Sequence, residues 1–381
     1  MSVKIAYLTN HAAFFESHIS PIAIHAIKEK FEVKLFCGSG ASQEMEKNAE
    51  KILKKKKITY EKFNFSATRF NIIHEFYSFF KLLIAIKEYK PTILHVATPK
   101  GILYGGLIYK FIKIKGLVLF VSGMGFLFSN KINIYQKIGK AIYLKIKKII
   151  FNQKNFILVI ENKSDYNYYI KKYKLYNKIV IIKGSGVDIL KFKPSKCKKK
   201  IVILPARVLK EKGITEFVLA AKILKKTYPE WRFIVLGTLN YEKPSSYSNS
   251  ELKALKDQKS VEFLGFTSNI LKFYKKASIV CLPSYREGFS KSLIEASACG
   301  IPIVTTNVVG CRDVIKDKKS GLLCKPKNVN SLKNKIEFLI KNKKIRTKYG
   351  NFAAKTARKN FDVKIVIEKN LKIYRKLISH L

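Results

Sequence analysis

The sequence predicts an α/β protein built from two doubly wound, Rossmann-like domains that face each other across a cleft. Short apolar, β-branched runs alternate with longer segments of helical period, which is the pattern of parallel sheets covered by helices. The alternation stops at a glycine-rich break and then starts again. At 381 residues the chain is also too long for one ordinary core and suits two domains.

The alternation before the break supplies seven predicted strands, with helices between most of them. They cover residues 5–8, 33–36, 59–63, 93–96, 117–121, 156–160 and 179–182. The alternation after the break supplies five more strands, over residues 201–205, 232–236, 261–264, 279–282 and 303–305. Each set is sufficient for one doubly wound domain.

The break consists of Gly184-Ser185-Gly186-Val187-Asp188, followed by a Lys-rich and Pro-containing stretch over 191–200. We place the interdomain linker there. The expected organisation is a first domain over 1–190, a second domain over 191–365, and a C-terminal helix over 366–381 that packs back on the first domain.

The formal net charge is +49, and 67 of the 75 basic residues are lysines. A charge of this size bears on partners and not on the fold. Two interpretations stay open: compositional drift in a lysine-favouring proteome, and attraction to an anionic surface, with a bilayer leaflet favoured over nucleic acid.

One segment, 137–154, carries six lysines and no acidic residue, with apolar residues at helical spacing between them. It predicts a basic amphipathic helix. Its apolar face is expected to pack on its own sheet, and its lysine rim to face solvent or lipid headgroups.

The cellular location is inferred from cysteines and hydropathy. The six cysteines form no Cys-x-x-Cys pair, so we expect buried thiols in a reducing compartment. The N-terminus lacks the apolar core of a signal peptide, and no run of about 18 uncharged apolar residues is present. We therefore expect a cytoplasmic protein, peripheral on the inner face of the plasma membrane.

The most informative stretch runs from Glu287 to Glu295. A strand over 279–282 is followed by the turn Glu287-Gly288-Phe289, and Ser290 is a suitable N-cap for a helix that continues to residue 299. Free N–H groups and the dipole of such a helix attract anions. Either glutamate alone would be a commonplace surface carboxylate. Together they suit a nucleotide sugar, with one carboxylate at the sugar and the other at the ribose.

A second cluster opens the same domain, where Arg207 and Lys212 follow the strand over 201–205 and precede a helix. A guanidinium can fork two phosphate oxygens and an ammonium adds a point charge. In a lysine-rich chain Arg207, one of eight arginines, carries more of the weight. None of the six aspartates forms an Asp-x-Asp pair, so we expect this cationic pair in place of a metal ion, and no cofactor.

These residues resemble the family 4 glycosyltransferases, in particular the branch acting on capsule, O-antigen and lipid-linked oligosaccharides. Glu287 and Glu295 match its Glu-x7-Glu signature, and Arg207 and Lys212-Gly213 match its upstream basic pair. Two further segments are similar to family motifs: Gly184–Asp188 with Phe192, at the entry to the second domain, and the Gly-rich loop Ser122-Gly123-Met124-Gly125-Phe126.

The resemblance implies a GT-B fold and a retaining, metal-independent hexosyltransferase. The implied donor is a nucleotide-diphosphate sugar, with a UDP-sugar such as UDP-N-acetylhexosamine or UDP-hexose expected first. The implied acceptor is a membrane lipid-linked glycan of bacterial surface polysaccharide or glycan biosynthesis.

The resemblance also implies residue roles. Glu287 would contact the donor sugar, Arg207 and Lys212 the diphosphate, and Glu295 the ribose. The remaining donor-site positions would be the backbone N–H groups of Gly288, Phe289 and Ser290 at the diphosphate, and Leu264, Gly265 and Phe266 beside the base.

The acceptor side departs from the family, because many members carry His-Gly where this chain has Ser122-Gly123. No catalytic imidazole is assigned there. His18, Ser122, Gly123 and Lys100 are the acceptor-side candidates, although a lone histidine such as His18 or His95 is more often structural at such a position.

Two other functions stay open: a basic nucleic-acid-binding protein, and a catalytically idle scaffold of the same fold. The lysines are spread along the chain and no RNP, KH or zinc-knuckle signature is present, so no nucleic-acid partner is expected. The expected partners are a nucleotide sugar, a lipid-linked glycan acceptor, and an anionic membrane surface contacted through the basic first domain.

Overall fold

The computed structural model describes residues 2–39, 42–66, 72–123, 134–239 and 245–379. The chain forms two compact units. Unit 1 comprises Met1–Ser185 with Val366–Leu381, and unit 2 comprises Gly186–Ile365.

Unit 1 contains a seven-stranded parallel sheet in the order β3-β2-β1-β4-β5-β6-β7. Its strands are β1 Lys4–Thr9, β2 Glu32–Ser39, β3 Thr59–Ser66, β4 Ile93–Ala97, β5 Gly116–Val121, β6 Phe156–Ile160 and β7 Ile179–Ile181. Its helices are α1 Ala12–His18, α2 Ser20–Lys28, α3 Gln43–Lys55, α4 Ile72–Tyr89, α5 Pro99–Phe111, α6 Ile134–Phe151 and α7 Lys163–Tyr173.

Unit 2 contains a six-stranded parallel sheet in the order β10-β9-β8-β11-β12-β13. Its strands are β8 Ile201–Pro205, β9 Arg232–Leu236, β10 Glu262–Phe263, β11 Ile279–Leu282, β12 Ile303–Thr306 and β13 Gly321–Cys324. Its helices are α8 Ile214–Thr227, α9 Asn249–Asp257, α10 Ile270–Lys276, α11 Lys291–Ala298, α12 Val329–Lys341 and α13 Lys343–Asn360, and α14, Val363–Ser379, follows them.

Continuous apolar strands explain why both units are parallel α/β layers. Every residue of β4, β6, β8 and β11 is buried, as expected for strands covered on both faces by helices. The twelve strands predicted from the sequence are confirmed. The thirteenth, β13, was missed because it has only four residues and begins at Gly321, a residue typical of turns. Glycine is needed there, since a Cβ at Gly321 would lie 2.2 Å from the carbonyl oxygen of Ile303.

The first boundary between the units lies five residues earlier than the predicted end of the first domain. The N–H of Val187 donates to the carbonyl of Phe361 at 2.8 Å, and the N–H of Val363 donates back to Val187 at 3.0 Å. Phe192 is part of the unit 2 core. The predicted linker began at Gly184, so the change from unit 1 to unit 2 after Ser185 lies within it, and its 191–200 stretch lies in unit 2.

The chain returns to unit 1 within α14, whose residues from Val366 onward belong to that unit. The hydroxyl of Tyr374 lies 2.6 Å from Nδ1 of His95 and 3.1 Å from the hydroxyl of Tyr7, and all three side chains are buried. Burial lowers the pKa of His95 to about 3, so this imidazole is neutral. The three side chains fasten the C-terminal helix to the sheet.

The predicted basic amphipathic helix is α6, and its polar face differs from the prediction. Side chains of residues 134–140 and 142 lie outside the described part of the structure. Lys145 and Lys148 are exposed as expected, but the Lys147 side chain is buried and donates to the hydroxyl of Tyr169. Lys147 Nζ also lies 4.4 Å from the centre of the Tyr169 ring. The prediction that the lysines of this helix face solvent or lipid headgroups is therefore wrong at Lys147.

No helix in the described part of the chain is both long enough and apolar enough to cross a membrane.

We expect the buried ammonium of Lys147 to lower the stability of the folded chain. Burial lowers its pKa from 10.5 to about 7, with a smaller contribution from Lys172. The unfolded chain therefore holds this proton more tightly, and the cost of burying the charge is complete below about pH 7 and fades toward pH 10.5. We expect Lys147→Met to raise the melting temperature most near neutral pH, and the gain to shrink as the pH approaches the ordinary lysine value.

Thermal melts of the native chain and the variant across this pH range check the prediction. Lys145→Met, an exposed position on the same helix, is the matched control and should show no such pH-dependent gain. A Lys147→Met variant that is less stable than the native chain at every pH would contradict the proposed cost.

Candidate active site

The candidate site lies at the carboxyl edge of the unit 2 sheet, between β8 and β11. The strand order reverses there, because β9 and β10 lie on one side of β8 while β11, β12 and β13 follow on the other. Open parallel sheets bind ligands at such a reversal. The loops that follow β8 and β11 are joined by a hydrogen bond from the N–H of Tyr285 to the carbonyl of Glu211, at 2.9 Å.

An ion pair joins the two predicted clusters across this reversal. Nζ of Lys212 lies 2.6 Å from Oε1 of Glu287, and the two side chains are 12% and 15% exposed. The hydroxyl of Ser284 donates to the same oxygen at 2.7 Å. Since an ammonium has three N–H donors, the bond to Glu287 leaves donor capacity on Lys212 for an anion. The structure thus brings Lys212 and Glu287 together.

The loop after β12 forms backbone hydrogen bonds with the turn that contains Glu287. The N–H of Glu287 donates to the carbonyl of Val309, and the N–H of Ser290 donates to the carbonyl of Gly310, each at 3.2 Å. Gly310 has a φ of 80°, and a Cβ on it would lie 2.3 Å from the carbonyl oxygen of Glu287. Only glycine fits beneath this turn.

These bonds correct one sequence-based role. The N–H of Ser290 was predicted to face a diphosphate, but it is committed to Gly310. Ser290 is the N-cap residue of α11, as predicted, without a side-chain cap bond. The Phe289 side chain is buried, and its ring packs on Phe361 with centroids 5.6 Å apart. Phe289 thus anchors the turn in the unit 2 core.

Glu295 lies one turn into α11, with its side chain 12% exposed. The Tyr274 hydroxyl lies 3.3 Å from Oε2, and Nζ of Lys291 lies 4.0 Å from Oε1. Burial raises the pKa of Glu295, while Lys291 and Tyr274 oppose the rise. Because hydrogen bonds to the carboxylate favour its charged form, hydroxyl donors from a ligand would stabilise Glu295 in this environment.

The loops after β9 and β10 complete the same edge of the sheet. The N–H of Gly237 donates to the carbonyl of Gly265 at 2.8 Å, and Leu264 is 45% exposed. A Cβ at Gly237 would lie 1.9 Å from the carbonyl oxygen of Ala206, so this loop touches the backbone beside Arg207. Arg207 is half-buried, as are Gly265 and Phe266. The predicted base-flanking residues and Arg207 therefore share one edge with the ion pair.

The acceptor-side candidates of unit 1 are mostly engaged within the protein. His18 stacks on Phe14 with ring centroids 4.4 Å apart, and its Nδ1 lies 2.6 Å from the hydroxyl of Ser17. His18 also lines a small cavity of unit 1 together with His95 and Ser185.

Lys100 is paired with Glu75 at 2.6 Å, and both side chains are mostly buried. Its charge is therefore countered inside unit 1. Ser122 and Gly123 follow β5 and are half-buried, whereas Met124, Gly125 and Phe126 lie outside the described residues.

Sequence reasoning missed three residues that shape the site: Ser284, Tyr274 and Gly310. Ser284 directly follows Pro283 after β11, so a hydroxyl at a strand end was a usable local signal. Tyr274 and Gly310 reach the site from α10 and from the loop after β12, and only the tertiary fold brings them to the two glutamates.

Metal chemistry has no preformed cluster in the described ranges. Among the residues that the structure describes, no group of three or more His, Cys, Asp or Glu side chains is placed to hold a metal ion. Metal independence stays a prediction.

Comparisons with known families match both units. Residues 187–356 match the family described as glycosyl transferases group 1, and residues 4–153 match the family described as glycosyl transferase 4-like. The two matches together span most of unit 2 and most of unit 1.

Two curated relatives and one solved structure illustrate the similarity. The chain is 30% identical over 347 residues to N,N'-diacetylbacillosaminyl-diphospho-undecaprenol alpha-1,3-N-acetylgalactosaminyltransferase of Campylobacter jejuni, covering 85% of this chain and 87% of the relative. It is 24% identical to the capsular polysaccharide biosynthesis glycosyltransferase CapM of Staphylococcus aureus, covering 79% of this chain and 81% of the relative. The crystal structure of Anabaena HepE in complex with UDP aligns with a TM-score of 0.77 at 17% identity, covering 98% of this chain and all of that one.

Because Gly310 packs closely against Glu287, we expect its substitution to destabilise the folded chain. We expect Gly310→Ala to lower the free energy of unfolding by about 2 kcal/mol or more, because a positive φ and a backbone clash add together. Chemical denaturation followed by circular dichroism measures the loss.

Gly265→Ala is the matched control. Gly265 has a φ of 71°, but a Cβ there would meet nothing within 4 Å. This variant should lose only about 1 kcal/mol, the conformational part of the cost. Equal losses in the two variants would contradict the tight packing of Gly310 against the turn.

Proposed function

The chain belongs to the group 1, family 4-like glycosyltransferases, and we propose that it moves a sugar from a UDP-sugar to a lipid-linked glycan with retention of anomeric configuration. UDP-N-acetylhexosamine and UDP-hexose are the donor classes proposed. One observation carries the proposal: the Lys212–Glu287 ion pair lies at the strand reversal of unit 2, in the same loop-and-helix segment as Glu295.

The donor is proposed to lie along this segment. Lys212 and Arg207 bind the diphosphate, Glu287 binds a hydroxyl of the sugar, and Glu295 binds the ribose hydroxyls. Two features of the structure support these roles. The bonds from Lys212 and Ser284 both reach Oε1 of Glu287, so neither of them occupies the second oxygen. Glu295 is a mostly buried carboxyl whose raised pKa a pair of hydroxyl donors would offset.

The proposed chemistry is a displacement on one face of the sugar. The bond from the anomeric carbon to the phosphate oxygen breaks as the bond to the acceptor oxygen forms. The proton of the acceptor hydroxyl passes to an oxygen of the leaving phosphate. Arg207 and Lys212 stabilise the negative charge that develops on the diphosphate, which is the role a metal ion has in other enzymes.

The acceptor is proposed from the relatives. The Campylobacter jejuni relative is named for transfer to a diphospho-undecaprenol compound, and the Staphylococcus aureus relative for capsular polysaccharide biosynthesis. The first name supports a lipid-linked glycan acceptor for this chain, and the second supports a role in surface polysaccharide biosynthesis. Such an acceptor places the working protein at the inner face of the plasma membrane, where the positive charge of the chain attracts anionic lipid.

Binding of the donor is tested by thermal stabilisation. A ligand that binds only the folded state stabilises it by about 2.7 kcal/mol at one hundred times its dissociation constant. We expect UDP and one UDP-sugar to raise the melting temperature of the native chain. We expect Lys212→Ala to reduce that shift strongly, and the exposed Lys200→Ala to leave it unchanged.

A screen in which no nucleotide sugar changes the melting temperature would contradict the proposed donor site. A shift that Lys212→Ala leaves intact would contradict the assignment of Lys212. Release of UDP from the donor in the absence of acceptor would eliminate the idle-scaffold alternative.

Catalysis is tested at Glu295. Removal of a buried carboxylate that binds two hydroxyls should lower kcat/KM for sugar transfer about 100-fold or more in Glu295→Ala. The fold should be retained, as checked by circular dichroism. Glu230→Ala, which removes an exposed carboxylate of the same unit, is the matched control and should keep native activity. Native turnover in Glu295→Ala would contradict the site assignment.

A further inference from the structure

Helix α4 of unit 1 is apolar on two sides. Its inner face is buried through Ser78, Leu82 and Ile86. Its outer face carries Phe76, Tyr77, Phe80 and Ile84, which are 63%, 57%, 54% and 52% exposed. A surface helix of a globular domain ordinarily has a single apolar stripe that faces the core. The second stripe therefore needs an explanation other than folding.

These four residues, named here the outer stripe, form one continuous surface. Their spacing places them on the same side of the helix over about two turns. The rings of Phe76 and Phe80 are stacked with centroids 6.3 Å apart, and Nζ of Lys81 lies 4.5 Å from the centre of the Tyr77 ring. Continuous exposed apolar surface of this kind marks contact with a partner or a membrane.

The charge near the outer stripe favours an anionic partner. Lys81, Lys87 and Glu88 of α4 are exposed. Its other carboxylate, Glu75, is mostly buried and paired with Lys100 at 2.6 Å, so it presents little negative charge outward. By sequence, unit 1 carries 36 basic and 12 acidic residues, and unit 2 carries 39 and 14. Since the two units are equally basic, net charge alone does not select a face, whereas the outer stripe does.

We propose that the outer stripe of α4 is the surface by which this protein docks on an anionic bilayer. The Phe76, Tyr77 and Phe80 rings enter the boundary between headgroups and acyl chains, where aromatic side chains are favoured. The long side chains of Lys81 and Lys87 extend to the lipid phosphates. Ile84 extends the apolar contact toward the end of the helix.

Charge complementarity selects the bilayer over a second copy of the chain. Two copies that meet through this face would bring together two units with a large excess of positive charge, and like charges in apposition oppose association. An anionic leaflet instead attracts the positively charged chain. The proposed docking surface lies on α4, whereas the sequence suggested α6, in which Lys147 is buried.

The proposal rests on the proposed function only in that a lipid-linked acceptor gives the protein a reason to reach a membrane. Docking itself requires neither donor nor acceptor. Vesicle binding therefore tests it separately from sugar transfer.

The experiment is co-sedimentation of the full chain with vesicles of phosphatidylcholine containing about 30 mol% phosphatidylglycerol, and with phosphatidylcholine alone. We expect the native chain to bind the anionic vesicles more tightly. The double variant Phe76→Ser with Phe80→Ser should bind them at least about tenfold more weakly, since it removes two ring insertions. Both positions are exposed, so the melting temperature should stay close to native.

The matched control is Tyr176→Ser with Leu190→Ser, which removes two exposed apolar side chains outside α4, 63% and 75% exposed. It should bind vesicles as the native chain does. A third variant, Lys81→Gln with Lys87→Gln, should lose most of the preference for anionic vesicles. It should keep the weaker binding to phosphatidylcholine.

Several outcomes would overturn the proposal. Native-like vesicle binding by the Phe76/Phe80 variant is one, and equal losses in that variant and in the Tyr176/Leu190 control are another. A native dimer in analytical ultracentrifugation that the Phe76/Phe80 variant converts to monomer, with vesicle binding unchanged, would assign the stripe to self-association. UDP-induced stabilisation, measured on the same variants, reports on the proposed function. If UDP failed to stabilise even the native chain, the proposed donor site would be contradicted and the vesicle-binding result would be unaffected.

Discussion

Strands β8 and β11 lie side by side although β9, β10 and the helices between them separate the two strands in the chain. This adjacency is what brings Lys212, at the end of one loop, to Glu287, in the middle of the other. Parallel strands leave their carboxyl ends at one edge of the sheet, and the reversal of strand order opens a space there. The ion pair, the Ser284 contact and the Gly310 support all follow from that arrangement. None of them would exist in a sheet with a different strand order.

Local pattern was enough to predict most of the fold. Runs such as those of β4, β6 and β8 are apolar throughout because helices cover both faces of a parallel sheet, so hydropathy alone marks them. β13 escaped because four residues starting with glycine resemble a turn. The end of the first domain was placed five residues after Ser185, because the pairing of Val187 with Phe361 and Val363 joins segments far apart in sequence. No window of local sequence contains that information.

The candidate site, too, was predicted from the sequence only in part. Glu287, Glu295, Arg207 and Lys212 were found from residue type and spacing, and the structure joins two of them directly. The N–H of Ser290 was assigned to a ligand because free helix N-termini attract anions, but a carbonyl of the neighbouring loop accepts it. The environment of Lys147 was likewise not predictable from local sequence. Local sequence predicts that a lysine among other lysines is exposed to solvent. Only the packing of Tyr143, Phe151 and Tyr169 around Lys147 shows that its side chain is buried.

The return of α14 to unit 1 also sets an order of events during synthesis. Unit 2 is one continuous segment, so its core contains nothing that emerges after residue 365. Unit 1 lacks Tyr374 until α14 leaves the ribosome, and until then the hydroxyl of Tyr7 and Nδ1 of His95 are without this partner. Domains generally fold as they emerge, the first-made one earliest. Here the second-made unit is the first whose core can be completed, and the first-made sheet must wait until α14 has been synthesised before Tyr374 can pack on it.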